Sequence, residues 1–453
     1  MTNPAIADFF KNTECVGFLG LGKSNLAILS LLPKEIRVIL RSESPIRREN
    51  IPRGIKPYKI FDGSSAFENP EEDILFLSPS VRRERNELSK IWESGVAPSS
   101  DFELFLKLNE KPLFSVTGSD GKSTTATLTA ALLSTSRSKV TAIGNVGTPF
   151  VKSLQGRCGK YAVAELSSFS LRYAAPKSKR AVVTNITPNH LNWHSSYEEY
   201  IESKLSLLDH AEEKVISLDD RRLFEYGIGK EVFAATSAER SYKEIKEQIN
   251  ASVFYTSELG FIKRNGEELF PVSMLKRREF HNIKNLLSAL ALTDGYVSFE
   301  WQKKTALEFG GLPHRLEEFA THKGVRYINS SIDTSPARCA ESLSSLDRSV
   351  IVILGGKSKG CGYETLREPL SKHARLAVIT GENRKEIYED IRGITETVIA
   401  DDFEDAVLYA ASVAKEEDTV LLCPASTSYD CFSSFEERGN KFKEIISDYI
   451  KNH

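Results

Sequence analysis

Ser115-Val-Thr-Gly118-Ser-Asp-Gly121-Lys122-Ser123-Thr124-Thr125 is the stretch whose reading decides the fold. It closes an apolar run, Leu113-Phe114, and opens a helix-like segment over residues 126–133. The small residues Gly118, Ser119, Asp120 and Gly121 let backbone N–H groups turn inward on an anion, and the helix N-terminus behind them adds positive potential. Lys122 is spaced to reach the β- and γ-phosphates, and the Ser123 hydroxyl to ligate Mg²⁺. The general phosphate loop reads Gly-x-x-x-x-Gly-Lys-[Ser/Thr]. Here Val116 holds the first glycine position, so the loop is a short variant. A chance Gly-Lys-Ser in a turn is the plain alternative. Strand, small-residue loop and helix in that order favour a nucleoside triphosphate site.

Working outward, 453 residues suffice for two to four domains. Hydrophobic residues at 40% and charged residues at 27% are ordinary for a globular protein. A net charge of −2 gives no case for a nucleic-acid or membrane partner. Cys15, Cys158, Cys339, Cys361, Cys423 and Cys431 are scattered without a Cys-x-x-Cys pair, which argues for reduced thiols rather than a disulfide framework or a zinc site. The first residues lack a basic-then-apolar signal pattern, and no apolar run is long enough to span a bilayer. A soluble, cytoplasmic protein is expected, acting as a monomer.

Three blocks of alternating strand-like and helix-like pattern follow one another, which predicts an α/β protein with parallel sheets covered on both faces. The boundaries fall at 1–108, 109–311 and 312–453. The first block opens with Cys15-Val-Gly-Phe-Leu-Gly20-Leu-Gly22 and adds strands at 37–40 and 73–78. The second runs from the phosphate loop through strands at 161–165 and 181–184. The third has strands at 325–329, 350–354, 376–380, 397–400 and 420–423, with helices at 337–346 and 403–414; Ser335-Pro336 places a proline at a favoured first turn.

Each further motif has a chemical and a plain reading. Gly20-Leu-Gly22-Lys23-Ser24-Asn25 resembles a dinucleotide fingerprint, but Asn25 holds the third glycine position. The ribose-binding acid is missing at Leu40-Arg41-Ser42, with Glu43 arriving late. A diphosphate from another nucleotide suits the loop better than a nicotinamide cofactor, and a structural turn is the alternative. Glu165, ending a buried strand, is placed for Mg²⁺ or for capping the next turn. His190 and His194 follow another strand; His190, nearer the strand end, is the better metal ligand. Ser196-Tyr-Glu-Glu199 reads as a capping box, and Tyr200, Lys204 and Leu208 then share one helix face. Lys204 there either snorkels or acts chemically. Asn282 and Asn285 lead an apolar helix and suit either a base edge or N-capping. Arg315, just past a domain joint, could clamp a phosphate or stay solvated.

Taken together these segments resemble the ATP-dependent Mur ligases, and within them the D-glutamate-adding branch. The likeness runs through 117–124, Gly144-Asn145-Val-Gly147, 165–169, His190 with Lys204, and His281-Asn282-x-x-Asn285. It continues through 311–315, Leu354-Gly-Gly356, 428–432 and Phe435-Glu-x-Arg438-Gly-Asn440. The resemblance implies a Rossmann-like N-terminal domain holding a UDP-sugar, a central P-loop ATPase domain with a mostly parallel sheet, and a C-terminal Rossmann-like domain for the amino acid. It implies ATP and Mg²⁺ as cofactors, with UDP-N-acetylmuramoyl-L-alanine and D-glutamate as substrates. Residues 118–124, Asn282, Asn285 and Arg315 would bind ATP, with Lys122, His190 and Lys204 catalytic. Ser123, Glu165, His190 and a carbamylated Lys204 would hold metal. Gly22, Lys23, Ser24 and Asn145 would meet the UDP-sugar, and Thr334, Lys359, Ser428 and the Phe435 backbone D-glutamate.

The chain departs from that family at several points. Asn189-His-Leu-Asn192 stands for an Asp-His-Leu-Asp pattern, Ser330 for an aspartate at the ATP ribose, Ile332 for a lysine, Ser80 for a glycine, and Leu40-Arg41-Ser42 for an Asp-containing uracil stretch. The implied chemistry activates a carboxylate as an acyl phosphate, which an amine then captures. A sibling ligase using another amino acid, a nicotinamide dehydrogenase and a catalytically silent nucleotide-binding scaffold are the rival readings.

Overall fold

The computed structural model describes residues 4–48, 51–52, 54–145, 147–155, 159–236, 248–346, 349–358, 360 and 362–453. Lys359, Val146, Cys158 and Cys361 therefore lie outside the described residues. The chain divides into two compact units, Met1–Phe309 and Gly310–His453.

The first unit holds two sheets. One is parallel: β1 (Cys15–Leu19), β2 (Arg37–Ser42), β3 (Lys59–Asp62), β4 (Ile74–Leu77) and β5 (Ala97–Ser99), in the order β3-β2-β1-β4-β5. The other has nine strands: β6 (Leu113–Thr117), β7 (Ala142–Gly144), β8 (Ala162–Glu165), β9 (Ser178–Val183), β10 (Ala211–Ser217), β11 (Glu231–Thr236), β12 (Asn250–Glu258), β13 (Phe261–Arg264) and β14 (Glu267–Pro271). Their order is β14-β13-β12-β11-β10-β9-β6-β8-β7, with β12 to β14 antiparallel at one edge. Pleating sends alternate residues to opposite faces: Val182 joins one apolar cluster, Ala181 and Val183 the other. Burial on both faces explains why these strands read as unbroken apolar runs.

The second unit holds β15 (Glu317–His322), β16 (Val325–Asn329), β17 (Val350–Gly355), β18 (Ala374–Thr380), β19 (Glu396–Ile399) and β20 (Thr419–Leu422), ordered β15-β16-β20-β17-β18-β19. All pairs are parallel except β15 with β16. Apolar clusters again cover both faces. Among the described residues no helix is long and apolar enough to cross a membrane. Cys15, Cys339, Cys423 and Cys431 are free thiols.

Local signals act as expected. Ser196 caps the helix Tyr197–Asp209 by accepting from Glu199 N, and Pro336 opens the helix Pro336–Ser344. Glu199 closes its half of the box on Ser195 N at 3.0 Å rather than on Ser196 N. The helix after the phosphate loop, expected at 126–133, begins at Lys122.

Candidate active site

β6 lies between β8 and β9, so the phosphate loop leaves the middle of the parallel sheet at its carboxyl edge. Gly118 (φ 150°) and Gly121 (φ 76°) need their conformational freedom here: a Cβ would collide with Thr184 Oγ1 at the first and with Asn285 Oδ1 at the second. The loop is built before any ligand arrives. Ser119 N donates to Asn185 O (2.9 Å), Asp120 N to Asn185 Oδ1 (2.9 Å), and Thr184 Oγ1 to Asp120 O (2.6 Å). The Ser119 hydroxyl meets Tyr200 Oη at 2.7 Å and Thr187 O at 3.0 Å, so that side chain secures the loop from behind. Lys122 Nζ donates to Ser119 O at 2.7 Å, folded over its own loop.

The helix Tyr197–Asp209 delivers the second half of the site. Tyr200, Lys204 and Leu208 are all buried along one face. Lys204 is 1% exposed, and its Nζ donates to Gly118 O at 2.6 Å. Burial holds its amine well below the ordinary lysine range, and the nearby Lys122 pushes the same way, against Asp120 and Glu165. Lys204 therefore does not snorkel: it points into the loop.

Glu165 ends β8 opposite Val116 and is 1% exposed. Its Oε1 accepts from Asn145 Nδ2 at 3.0 Å, while Oε2 is buried with no hydrogen-bond partner. A carboxylate oxygen left so is costly unless something else satisfies it. His190 is exposed, with a left-handed φ of 55° and its ring edge-on to Phe169. Partial desolvation lowers its pKa, and the nearby Lys122 lowers it further. His194 is a structural residue: it is buried, with Nε2 2.9 Å from Ser168 Oγ. Asn285 is buried against the loop and accepts from Thr125 Oγ1 (3.3 Å), whereas Asn282, one turn away, donates to Glu279 Oε2 (2.9 Å). Ser123 and Thr124 are half-buried in the first helical turn. Among the described residues no three His, Cys, Asp or Glu side chains cluster to hold a metal.

The first sheet bears on the departures noted in the sequence. Asn25 is wholly buried, and its amide donates to Leu19 O (3.1 Å), Gly20 O (2.8 Å) and Phe76 O (3.3 Å), stapling β1 to β4. Arg41 points into the core, where Glu72 takes it with two bonds of 2.7 and 2.9 Å and three carbonyls complete its fork. It faces no ligand. Glu43 instead pairs with Arg85 at 2.7 Å. Gly22 precedes the helix Lys23–Leu29, and Ser24 of that helix lines a cleft with Ser78, Arg83, Asp101, Phe169 and Tyr173. Asp101 accepts from Phe150 N (3.0 Å) and Val151 N (2.9 Å), and burial raises its pKa to about 6.

In the second unit Ser428 is buried, and Thr334 and Phe435 are half-buried. None of the three lines the unit's cleft, which lies over Gly356, Gly381, Asp430 and Arg438. Ser330 donates to Asp333 at 2.6 Å, as does Ser342. The Asp333 carboxylate is therefore close to position 330 in the chain but consumed by hydroxyls. Arg315 is exposed between His314 (φ 62°) and Leu316 (φ 43°), two left-handed non-glycine residues. Tyr200, Asp101 and Asn25 were not singled out as site residues from sequence. Tyr200's place one turn before Lys204 was the available signal; Asp101 carried none.

A parallel α/β sheet with a phosphate loop, a buried lysine and a strand-end acid defines a nucleoside-triphosphate-using enzyme class. Residues 116–293 match the family model for the Mur ligase middle domain, and residues 314–426 that for the Mur ligase glutamate ligase domain. The UDP-N-acetylmuramoylalanine--D-glutamate ligase of Clostridium novyi is 32% identical over 97% of this chain and 98% of its own. That of Clostridium tetani is 34% identical over 83% and 82%. The chain belongs to the Mur ligase family. In fold it also resembles the UDP-N-acetylmuramate-alanine ligase of Thermotoga maritima, with a TM-score of 0.56 at 17% identity over 96% of this chain and 100% of that one.

Proposed function

We propose that the protein is an ATP-dependent amide ligase that joins D-glutamate to UDP-N-acetylmuramoyl-L-alanine, making a peptidoglycan precursor in the cytoplasm as a monomer. The observation that carries this is a buried, charge-disfavoured Lys204 bonded to Gly118 of the phosphate loop, with Glu165, whose buried Oε2 has no hydrogen-bond partner, ending the strand beside β6. The choice of D-glutamate draws support from curated relatives that match the chain nearly end to end. In this reading residues 1–108 hold the UDP-sugar through Gly22, Lys23 and Ser24, with Asn145 contributed by the central block. Residues 109–311 hold ATP, and residues 312–453 hold D-glutamate through Thr334, Lys359, Ser428 and Phe435.

The donor set fits Mg²⁺, since a cation would satisfy Glu165 Oε2; Ser123, His190 and a modified Lys204 are the other groups to hold it. When bound, the metal neutralises phosphate charge as the anions meet. The L-alanyl carboxylate attacks the γ-phosphorus of ATP, forming an acyl phosphate and releasing ADP. The D-glutamate amine then attacks that carbonyl, and the tetrahedral intermediate expels phosphate and loses a proton. No protein nucleophile is needed; charge stabilisation and orientation do the work. Lys122 meets the phosphates, moving off Ser119 O as they enter. Lys204 would act as a neutral amine: it would add CO₂ through a new N–C bond and lose a proton, and the resulting carbamate would join the residues holding the metal. Arg315 is assigned to the γ-phosphate, and Asn282 and Asn285 to the nucleotide.

The test is phosphate release with ATP, Mg²⁺, UDP-N-acetylmuramoyl-L-alanine and D-glutamate, each omitted in turn. Turnover needs all four; turnover indifferent to D-glutamate would overturn the assignment.

A further inference from the structure

Arg438, on the helix Phe435–Asn452, is among the largest wholly buried side chains, 2% exposed. Among the described residues its hydrogen bonds go to neutral oxygens. Nε donates to Ser331 Oγ (3.0 Å). Nη1 donates to the carbonyls of Ser426 and Thr427 (both 3.1 Å) and Gly355 (3.5 Å), and Nη2 to those of Ser331 (3.0 Å) and Ser426 (3.1 Å). Asp430 acts on it only at a distance, and burial pushes its pKa down to about 10. A desolvated guanidinium without a counter-ion is an expensive way to fill space, and an apolar side chain of like volume would pack at lower cost.

The acceptors explain its presence. They sit on the three segments that leave β16, β17 and β20 at their carboxyl ends, where an open α/β sheet binds ligands. Ser331 Oγ, which accepts from Arg438, donates in turn to Phe435 O at 2.8 Å. Thr427, whose carbonyl is held, immediately precedes Ser428, and Thr334 lies three residues beyond Ser331. The guanidinium also lines the cleft of this unit, beside Gly356, whose φ of 148° and lack of Cβ allow the close approach of Thr427 O. Only a rigid fork with five donors can tie three segments at once; a lysine offers a single point.

We propose that Arg438 positions the amino-acid site by fixing the loops of Ser331, Ser426 and Thr427. The ligand class rests on the function proposed above; the geometry does not.

The experiment measures KM for D-glutamate, ATP and UDP-N-acetylmuramoyl-L-alanine by phosphate release in the full chain, for wild type, Arg438→Lys and Arg438→Gln. Both variants should raise KM for D-glutamate by about ten- to a hundredfold, the loss expected for charge-assisted bonds, with Gln the worse. KM for the other two substrates should stay within about twofold. If all three constants shift together, or D-glutamate KM holds in a folded variant, the inference fails. Should Arg438→Gln not fold, Ser331→Ala, which removes the Nε acceptor and the bridge to Phe435, should still raise D-glutamate KM severalfold while sparing the other two. Wild-type enzyme that ignores D-glutamate would instead overturn the proposed function, and the ligand class with it.

Discussion

Lys204→Ala separates two effects that the same nitrogen could exert. As an amine it gives one short hydrogen bond, to Gly118 O at 2.6 Å. Losing it leaves that carbonyl without its partner, a cost of about 1–3 kcal/mol. Against that stands relief from burying an amine whose charged form the site already disfavours, so the fold should survive with little change in Tm. Activity should not. If Lys204 carries a carboxylate facing the metal, its loss removes a charge-stabilising group, and kcat should fall about 10²- to 10³-fold, or roughly 3–4 kcal/mol. Phosphate release is then followed while formate, acetate or methylamine is titrated into the variant. Rescue by the acids, and none by the amine, is the expected outcome. Because CO₂ adds to the neutral amine, which the lowered pKa makes available below the ordinary lysine range, bicarbonate should activate wild type more as pH rises. Amine rescue, or a rate loss under about threefold, would refute the reasoning.

Three further outcomes follow from the same geometry. Glu165→Gln keeps an acceptor for Asn145 and gives up only an oxygen that has no partner, so stability should hold while kcat falls about 10²-fold and the Mg²⁺ requirement rises; unchanged Mg²⁺ dependence counts against the metal role. Glu72→Gln strands Arg41 in the core and should cost about 3–5 kcal/mol in thermal denaturation, whereas replacing the pair by Met and Leu should be near neutral. Asp101, raised from 3.8 to about 6, contributes stability that is present below about pH 4 and lost as pH climbs through 6, on the order of 3 kcal/mol in all. Asp101→Asn should flatten that part of the pH profile in denaturant titrations, and an unaltered slope would show that another group titrates there.

The strands β1, β2, β4, β6, β8, β9 and β16 to β20 and the phosphate loop were legible because their signals are local: apolar runs, glycines at the turn, small residues before a helix. β3, β5 and β7 escaped notice because they are very short, and β10 to β15 because their buried stretches, such as 215–217 and 253–256, are short and flanked by charged or half-exposed residues. Lys204 could be placed on a helix face but not on Gly118, because that contact joins residues 86 apart. Arg41 and Arg438 were opaque for a different reason. A charged side chain reads as solvated unless its partners are known, and Glu72 or a set of carbonyls announces nothing in the chain. Asn25 looked like a defective fingerprint until its amide proved to close three carbonyls.

Ser119 and Gly118, adjacent in the phosphate loop, are gripped by Tyr200 and Lys204, adjacent turns of one helix. The cradle proposed for the triphosphate and the lysine proposed to take up CO₂ are thus two edges of a single piece. Neither can shift without dragging the other along, so an engineer retuning nucleotide preference should test whether the response to bicarbonate moves in step.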